Sequence, residues 1–294
     1  MANILIIGCG SLGSQLAVQL IALGHQVTGL KRNPPKTAHD GINYVCADIA
    51  KANTLKDLAT DFDVVYFIVS PDGRGNEDSY RAVYENGLVN LLAKFSATNA
   101  SPQWIFVSST SVYAQSQGEW VDEDSVAEPD NTCGQLIRQA EQRLVALNAQ
   151  NIVVRFSGIY GSGREYLLRM AQSTPAIQQS PPYYTNRIHQ EDCVGVLAFL
   201  LACRLKGVTM QSYYLASDDN PATMWDVLSW LAEQLHCATP TVKPFSADAV
   251  QNKRCSNQRL RALGYQFNYP SFKEGYLELI RTKSDGNCYS VYCY

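Results

Sequence analysis

The 294-residue chain has no hydrophobic run long enough to cross a bilayer. Its apolar stretches, such as Ile4 to Ile7, fall far short of the roughly 20 residues a spanning helix needs. Nothing ahead of Ile4 resembles a signal peptide, so a cytoplasmic protein with no membrane partner is expected. The chain also lacks any concentration of basic residues. Lys and Arg number 24 against 27 Asp and Glu, which argues against nucleic acid as a partner and leaves a small molecule. The cysteines, an odd nine, show neither the pairing of a disulfide framework nor the spacing of a metal site, and most are expected to be buried small hydrophobes. Internal repeats and low-complexity linkers are missing too, so any two lobes should pack closely.

What is present is a regular alternation. Short apolar runs at 3–7, 26–30, 44–46, 64–69, 104–107, 152–156 and 212–216 alternate with helical periodicities. These fall after the first run (Leu12, Leu16, Leu20, Leu23) and at 53–60, 79–98, 134–148, 191–204 and 223–236. The pattern predicts an α/β fold: a doubly wound parallel Rossmann-type sheet with a smaller C-terminal substrate lobe. The expected division is a dinucleotide-binding domain over 1–160, with 186–217 returning to it. A small lobe takes 161–185 and 218–281, and 282–294 is a disordered tail. A monomer or homodimer is compatible with this organisation.

The first run ends in Gly8-Cys9-Gly10-Ser11-Leu12-Gly13. In such a loop the first glycine permits a tight turn, the second lets backbone approach a pyrophosphate, and the third lets helix and strand pack. The amides that open the helix then face the phosphates. About 20 residues on, an NAD site usually carries an acid for the ribose 2′-hydroxyl. Here the second run ends in Lys31-Arg32. A cation at that place suits a 2′-phosphate, so NADP(H) is the preferred cofactor and NAD(H) the alternative. The competing reading of Lys31 and Arg32 is solvated loop charge.

Several fragments together resemble the extended short-chain dehydrogenase/reductases, the NAD-dependent epimerase/dehydratase family. They are the glycine loop, Ala47-Asp48-Ile49, Val107-Ser108-Ser109-Thr110-Ser111-Val112-Tyr113, Arg155 to Arg164, and Arg187-Ile188-His189-Gln190-Glu191-Asp192. The resemblance implies that Asp48, with Ile49 beside it, touches the adenine. Val69-Ser70-Pro71 would lie along the cofactor, and Ser109, beside Thr110, would be the active-site hydroxyl. A serine at a strand end can equally bond local backbone. The family's Tyr-x-x-x-Lys pair would fall on Cys133 and Ile137, which can neither hold a ribose nor depress a phenol pKa in the family's manner. Tyr84 stands near a position where many relatives carry asparagine.

Replacement proton donors are Tyr113, or Tyr160, Tyr183 or Tyr184 of the second lobe, each also readable as packing; Tyr160 is in addition expected to bind substrate, and Cys133 reads as a small packing residue or a catalytic nucleophile. Arg187 and His189 are expected to face substrate, with His189 either an acid or base or a fixed hydrogen-bond partner. Two functions remain open. One is an NADP(H)-dependent oxidoreductase or epimerase-like enzyme acting on a small polar carbonyl, alcohol or sugar nucleotide. The other is a non-catalytic NADP(H)-binding sensor or regulatory protein.

Overall fold

The computed structural model describes residues 1–36, 41–73, 75–244 and 252–289, with side chains through residue 282. The chain divides into two compact units. The first comprises Met1–Val112, Val126–Arg155 and Val194–Tyr214; the second comprises Tyr113–Ser125, Phe156–Cys193 and the chain from Leu215 onward.

The first unit is built on a seven-stranded sheet. Its strands include β1 (Asn3–Ile7), β2 (Gln26–Lys31), β3 (Asn43–Cys46), β4 (Val64–Phe67) and β5 (Gln103–Ser109). Their order across the sheet is β3-β2-β1-β4-β5, followed by Ile152–Phe156 and Tyr213–Ala216. All of Ile4 to Ile7 and all of Val64 to Phe67 are buried, as parallel strands covered on both faces require. Ile7 lies level with Leu30 of β2 and Phe67 of β4, so the ends of β2 and β4 flank the end of β1. The strand order reverses direction between β1 and β4. In open α/β sheets the crevice beyond the strand ends at such a reversal is where ligands bind.

Two local expectations differ. The helix read over 53–60 is only a 3-10 turn, Ala52–Leu55. There Thr54 Oγ1 donates to the carbonyls of Asp48 and Lys51 and accepts from Asp48 N, which ties the segment back to the end of β3. The pattern at 79–98 is helical, but its middle, Arg81–Gly87, is a π-helix.

The second unit is held by four short strand pairs and a separate core. Parallel pairs join Gly158–Tyr160 to Arg187–His189 and Glu119–Val121 to Lys253–Cys255. Leu167, Leu168, Leu228, Leu231, Phe272 and Tyr276 are among its core residues. The final helix, Phe272–Tyr289, continues into the stretch expected to be a tail. Phe272, Tyr276 and Leu279, at helical spacing, anchor its first half in the core, and the helix propagates from them. Residues 290–294 lie outside the described residues.

Candidate dinucleotide site

Each glycine of the loop after β1 has a distinct reason. Gly8 has φ +88°, and a Cβ there would lie 2.7 Å from the Ile68 carbonyl group. A Cβ on Gly13 would lie 2.6 Å from Gly8 O and 3.2 Å from Ile6 Cγ2, so helix α1 (Ser11–Ala22) can meet β1 this closely only with glycine. Gly10 is different. A Cβ there would find no neighbour nearer than 4.0 Å; the protein does not need this glycine for its own packing, and its bare side is open.

The amides of Gly8 and Cys9 donate to Leu30 O at 3.0 and 3.1 Å, and Gly10 N donates to Gly8 O at 2.7 Å. They brace the loop. The helix that follows has no side-chain cap on Gly10 and no acid in its first turn, so its positive end is available to an anion. A pyrophosphate fits this donor set. Cys9 itself is fully buried, its sulfur filling the space that glycine leaves at Gly29 of β2.

Around the loop stand the other residues singled out from the sequence. Asp48 follows β3; its Oδ1 accepts from Ala50 N at 3.1 Å and its Oδ2 lies 3.6 Å from Lys51 Nζ. Ile49 is buried against the bare Cα of Gly87. Val69, Ser70 and Pro71 follow β4, with Ser70 exposed, and the Tyr84 hydroxyl donates to Val69 O at 3.5 Å. Lys31 is half-buried at the end of β2. Arg32, exposed beside it, forms a bidentate ion pair with Asp72. The pair raises the guanidinium pKa and holds the Asp72 carboxyl below its ordinary value. Sequence reasoning missed Asp72: no local pattern joins it to a residue 40 positions away.

Ser109 ends β5 half-buried, and its Oγ accepts from Ser111 N at 3.1 Å. That is the local backbone bond a strand-end serine tends to make. Thr110 opens the 3-10 turn that follows. Neighbouring Ser108 points inward, donating to Glu141 at 2.5 Å. Helix Thr132–Leu147 contains neither tyrosine nor lysine. Cys133 lies in its first turn, where burial and then the nearby Glu77 charge raise the thiol pKa. Ile137 is buried.

The second unit holds the remaining candidates, most of them in its interior. Tyr113 is fully buried and its hydroxyl donates to Asp122 O at 2.6 Å, so that proton is committed to packing. Tyr160 is 2% exposed and stacks on Tyr276 with ring centres 4.4 Å apart. His189 is 3% exposed, lies against the rings of Tyr160 and Tyr269, and accepts from Glu191 N at 3.4 Å. Burial lowers its pKa. Both rings pack within one aromatic cluster of this unit.

Arg187 keeps more freedom. Its Nη1 rests where a Cβ of Gly158 would be and donates to Asn186 O at 3.3 Å, while Nε has no partner. Asp218, close enough to interact electrostatically, has an unpartnered Oδ2, and burial pushes its carboxyl well up. Lys253, buried and donating to Tyr113 O at 2.8 Å, was not singled out beforehand. Among the described residues no three His, Cys, Asp or Glu side chains converge as metal ligands. No helix among them is long and apolar enough to cross a membrane.

A glycine cradle at the β1/β4 reversal of a seven-stranded parallel sheet defines a Rossmann-type α/β protein. The NAD-dependent epimerase/dehydratase family model matches residues 4–197, and the chain belongs to that family. A solved structure described as an NAD-dependent epimerase/dehydratase from Methylobacillus flagellatus is 34% identical, with a TM-score of 0.80, covering 96% of this chain and 99% of that one. Protein YeeZ of Escherichia coli (strain K12) is 27% identical over 286 residues, 92% of this chain and 97% of the relative. UDP-glucose 4-epimerase from Thermus thermophilus, solved in complex with NAD, shares the fold with a TM-score of 0.74 at 18% identity, over 93% and 96% of the two chains.

Proposed function

We propose that the protein is an NADP(H)-dependent oxidoreductase or epimerase-like enzyme of the extended short-chain dehydrogenase/reductase type. Its substrate is a small polar carbonyl or alcohol, or a sugar nucleotide. The observation that carries this reading is the glycine cradle with an exposed guanidinium at the end of β2. Gly10 leaves room for the pyrophosphate, the amides of Ser11, Leu12 and Gly13 receive its charge, and Arg32 takes a 2′-phosphate. Asp48 and Ile49 border the adenine, and Val69, Ser70 and Pro71 follow the cofactor from β4.

When bound, the nicotinamide supplies hydride chemistry. The chain's own part is to seat the reacting carbon and stabilise charge on its oxygen. Ser109 Oγ, already oriented by Ser111 N, and the Thr110 hydroxyl are the donors at the end of β5. Within the second unit, Arg187, with its unpartnered Nε, is the donor proposed for a polar group of a ligand.

A second reading has a specific observation behind it. Helix Thr132–Leu147 offers a buried isoleucine and a thiol of raised pKa in place of a proton relay, which is what a non-catalytic NADP(H) sensor would retain. One experiment separates the two. NADPH and NADH are titrated by nicotinamide fluorescence, and oxidation is then followed with sugar nucleotides, ketones and aldehydes. Tighter NADPH binding with turnover supports the enzyme; tight binding without turnover supports the sensor. Equal affinities for both dinucleotides would remove the role given to Arg32.

A further inference from the structure

The sheet order places β1 between β2 and β4, so a side chain from the end of β2 can meet one from beyond β4 only by passing across the end of β1. The Arg32–Asp72 pair does this. Arg32 Nη1 donates to Asp72 Oδ2 and Nη2 donates to Oδ1. The Nη1/Nη2 edge of the guanidinium, one of the edges that can fork a phosphate, is therefore already occupied by two carboxylate oxygens. Both side chains are more than half exposed, at 54% and 64%, so solvent screens the pair and its partners exchange readily. Among the described residues nothing else bonds the Asp72 side chain.

We propose that Asp72 is an internal phosphate mimic that sets cofactor specificity: its carboxylate occupies Arg32 across the glycine loop and competes with the 2′-phosphate of NADP(H) for the same fork of donors. A phosphate-bearing cofactor displaces Asp72 from Arg32, and the released carboxylate is then a like charge beside the phosphate. Both effects reduce 2′-phosphate affinity without touching a cofactor that lacks the phosphate. Asp72 thus narrows the preference for NADP(H) that Arg32 creates. The inference rests on the reading of Arg32 as the 2′-phosphate ligand.

The test is a double-mutant cycle on the full chain, read by fluorescence titration of NADPH and NADH and not by turnover. Asp72→Asn is expected to tighten NADPH binding by roughly three- to five-fold, the upper end of what an exposed ion pair contributes, and to leave NADH within about two-fold. Arg32→Gln should remove the NADPH advantage, and Asp72→Asn should tighten NADPH less in the Arg32→Gln background than in the wild type, because only the like-charge effect is left to relieve. Asp72→Ala serves as a second variant, and the thermal midpoint of each protein without cofactor confirms folding. If Arg32→Gln weakens NADPH but neither Asp72 variant strengthens it, the mimic is overturned while the role of Arg32 survives. If Arg32→Gln leaves NADPH binding unchanged, that role fails and the mimic falls with it.

Discussion

Glu141 receives both Nε and Nη2 of Arg155, at 3.0 and 2.8 Å, with neither side chain more than 2% exposed. Ser108 Oγ and Arg138 Nη1 complete its bonds, so the residue before Ser109 is tied to the helix that carries Cys133. Replacing Glu141 with Ala removes both carboxylate bonds from the buried Arg155 guanidinium. The expected loss is about 3–5 kcal/mol, read from chemical denaturation, whereas an unchanged midpoint would mean that Arg155 finds another partner.

The glycines of the first loop should separate folding from binding. Gly13→Ala puts a methyl 2.6 Å from Gly8 O and should lower the thermal midpoint. Gly10→Ala meets nothing within the protein, so its midpoint should stay near that of the wild type while NADPH affinity drops at least about ten-fold, because the methyl takes space needed for close backbone approach. A Gly10 variant with wild-type affinity would move the pyrophosphate elsewhere.

Tyr113→Phe deletes the buried bond to Asp122 O and should cost about 1 kcal/mol of stability with turnover retained. Loss of turnover without loss of stability would make this phenol the proton donor after all. Ser109→Ala, by contrast, should remove turnover and leave NADPH affinity nearly intact.

His189 makes stability depend on pH. Burial lowers its folded pKa below 6.5, outweighing the opposite pull of Glu191, Asp192 and Glu278. Its contribution is therefore complete above about pH 6.5 and is lost as pH falls through the folded value. Burial raises the carboxyls of Glu123, Asp192 and Asp218, which act in the other direction, so the informative quantity is a difference. The gap in stability between wild type and His189→Asn should shrink from about pH 7 to about pH 5. A constant gap would show that the imidazole does not titrate between the two states.

The parallel sheet and its glycine loop were legible because both are local. Runs such as Ile4 to Ile7 and Val64 to Phe67 have no polar face to present to water, and a glycine turn that closes one such run has few structural meanings. The helix at 53–60 misled because spacing alone cannot weigh a threonine hydroxyl against the helical ladder, and Thr54 bonds Asp48 and Lys51 instead. Among the site residues, the packing of Tyr160 and His189 was not legible, because a sequence displays a polar atom without the aromatic ring that covers it.

What the sequence determined by itself is the alternation that builds the parallel sheet and the cradle of Gly8, Gly10 and Gly13. These follow from residue type and short spacing, where backbone sterics and hydrophobic periodicity dominate. Only the tertiary structure decided that Arg32 is held by Asp72, that Glu141 gathers Ser108, Arg138 and Arg155, and that the Tyr113 phenol is spent on Asp122. The two ionic associations join groups up to 40 residues apart, and the phenol bond depends on how the chain folds back after β5. Their energies depend on distance and burial, which exist only once the chain has closed on itself.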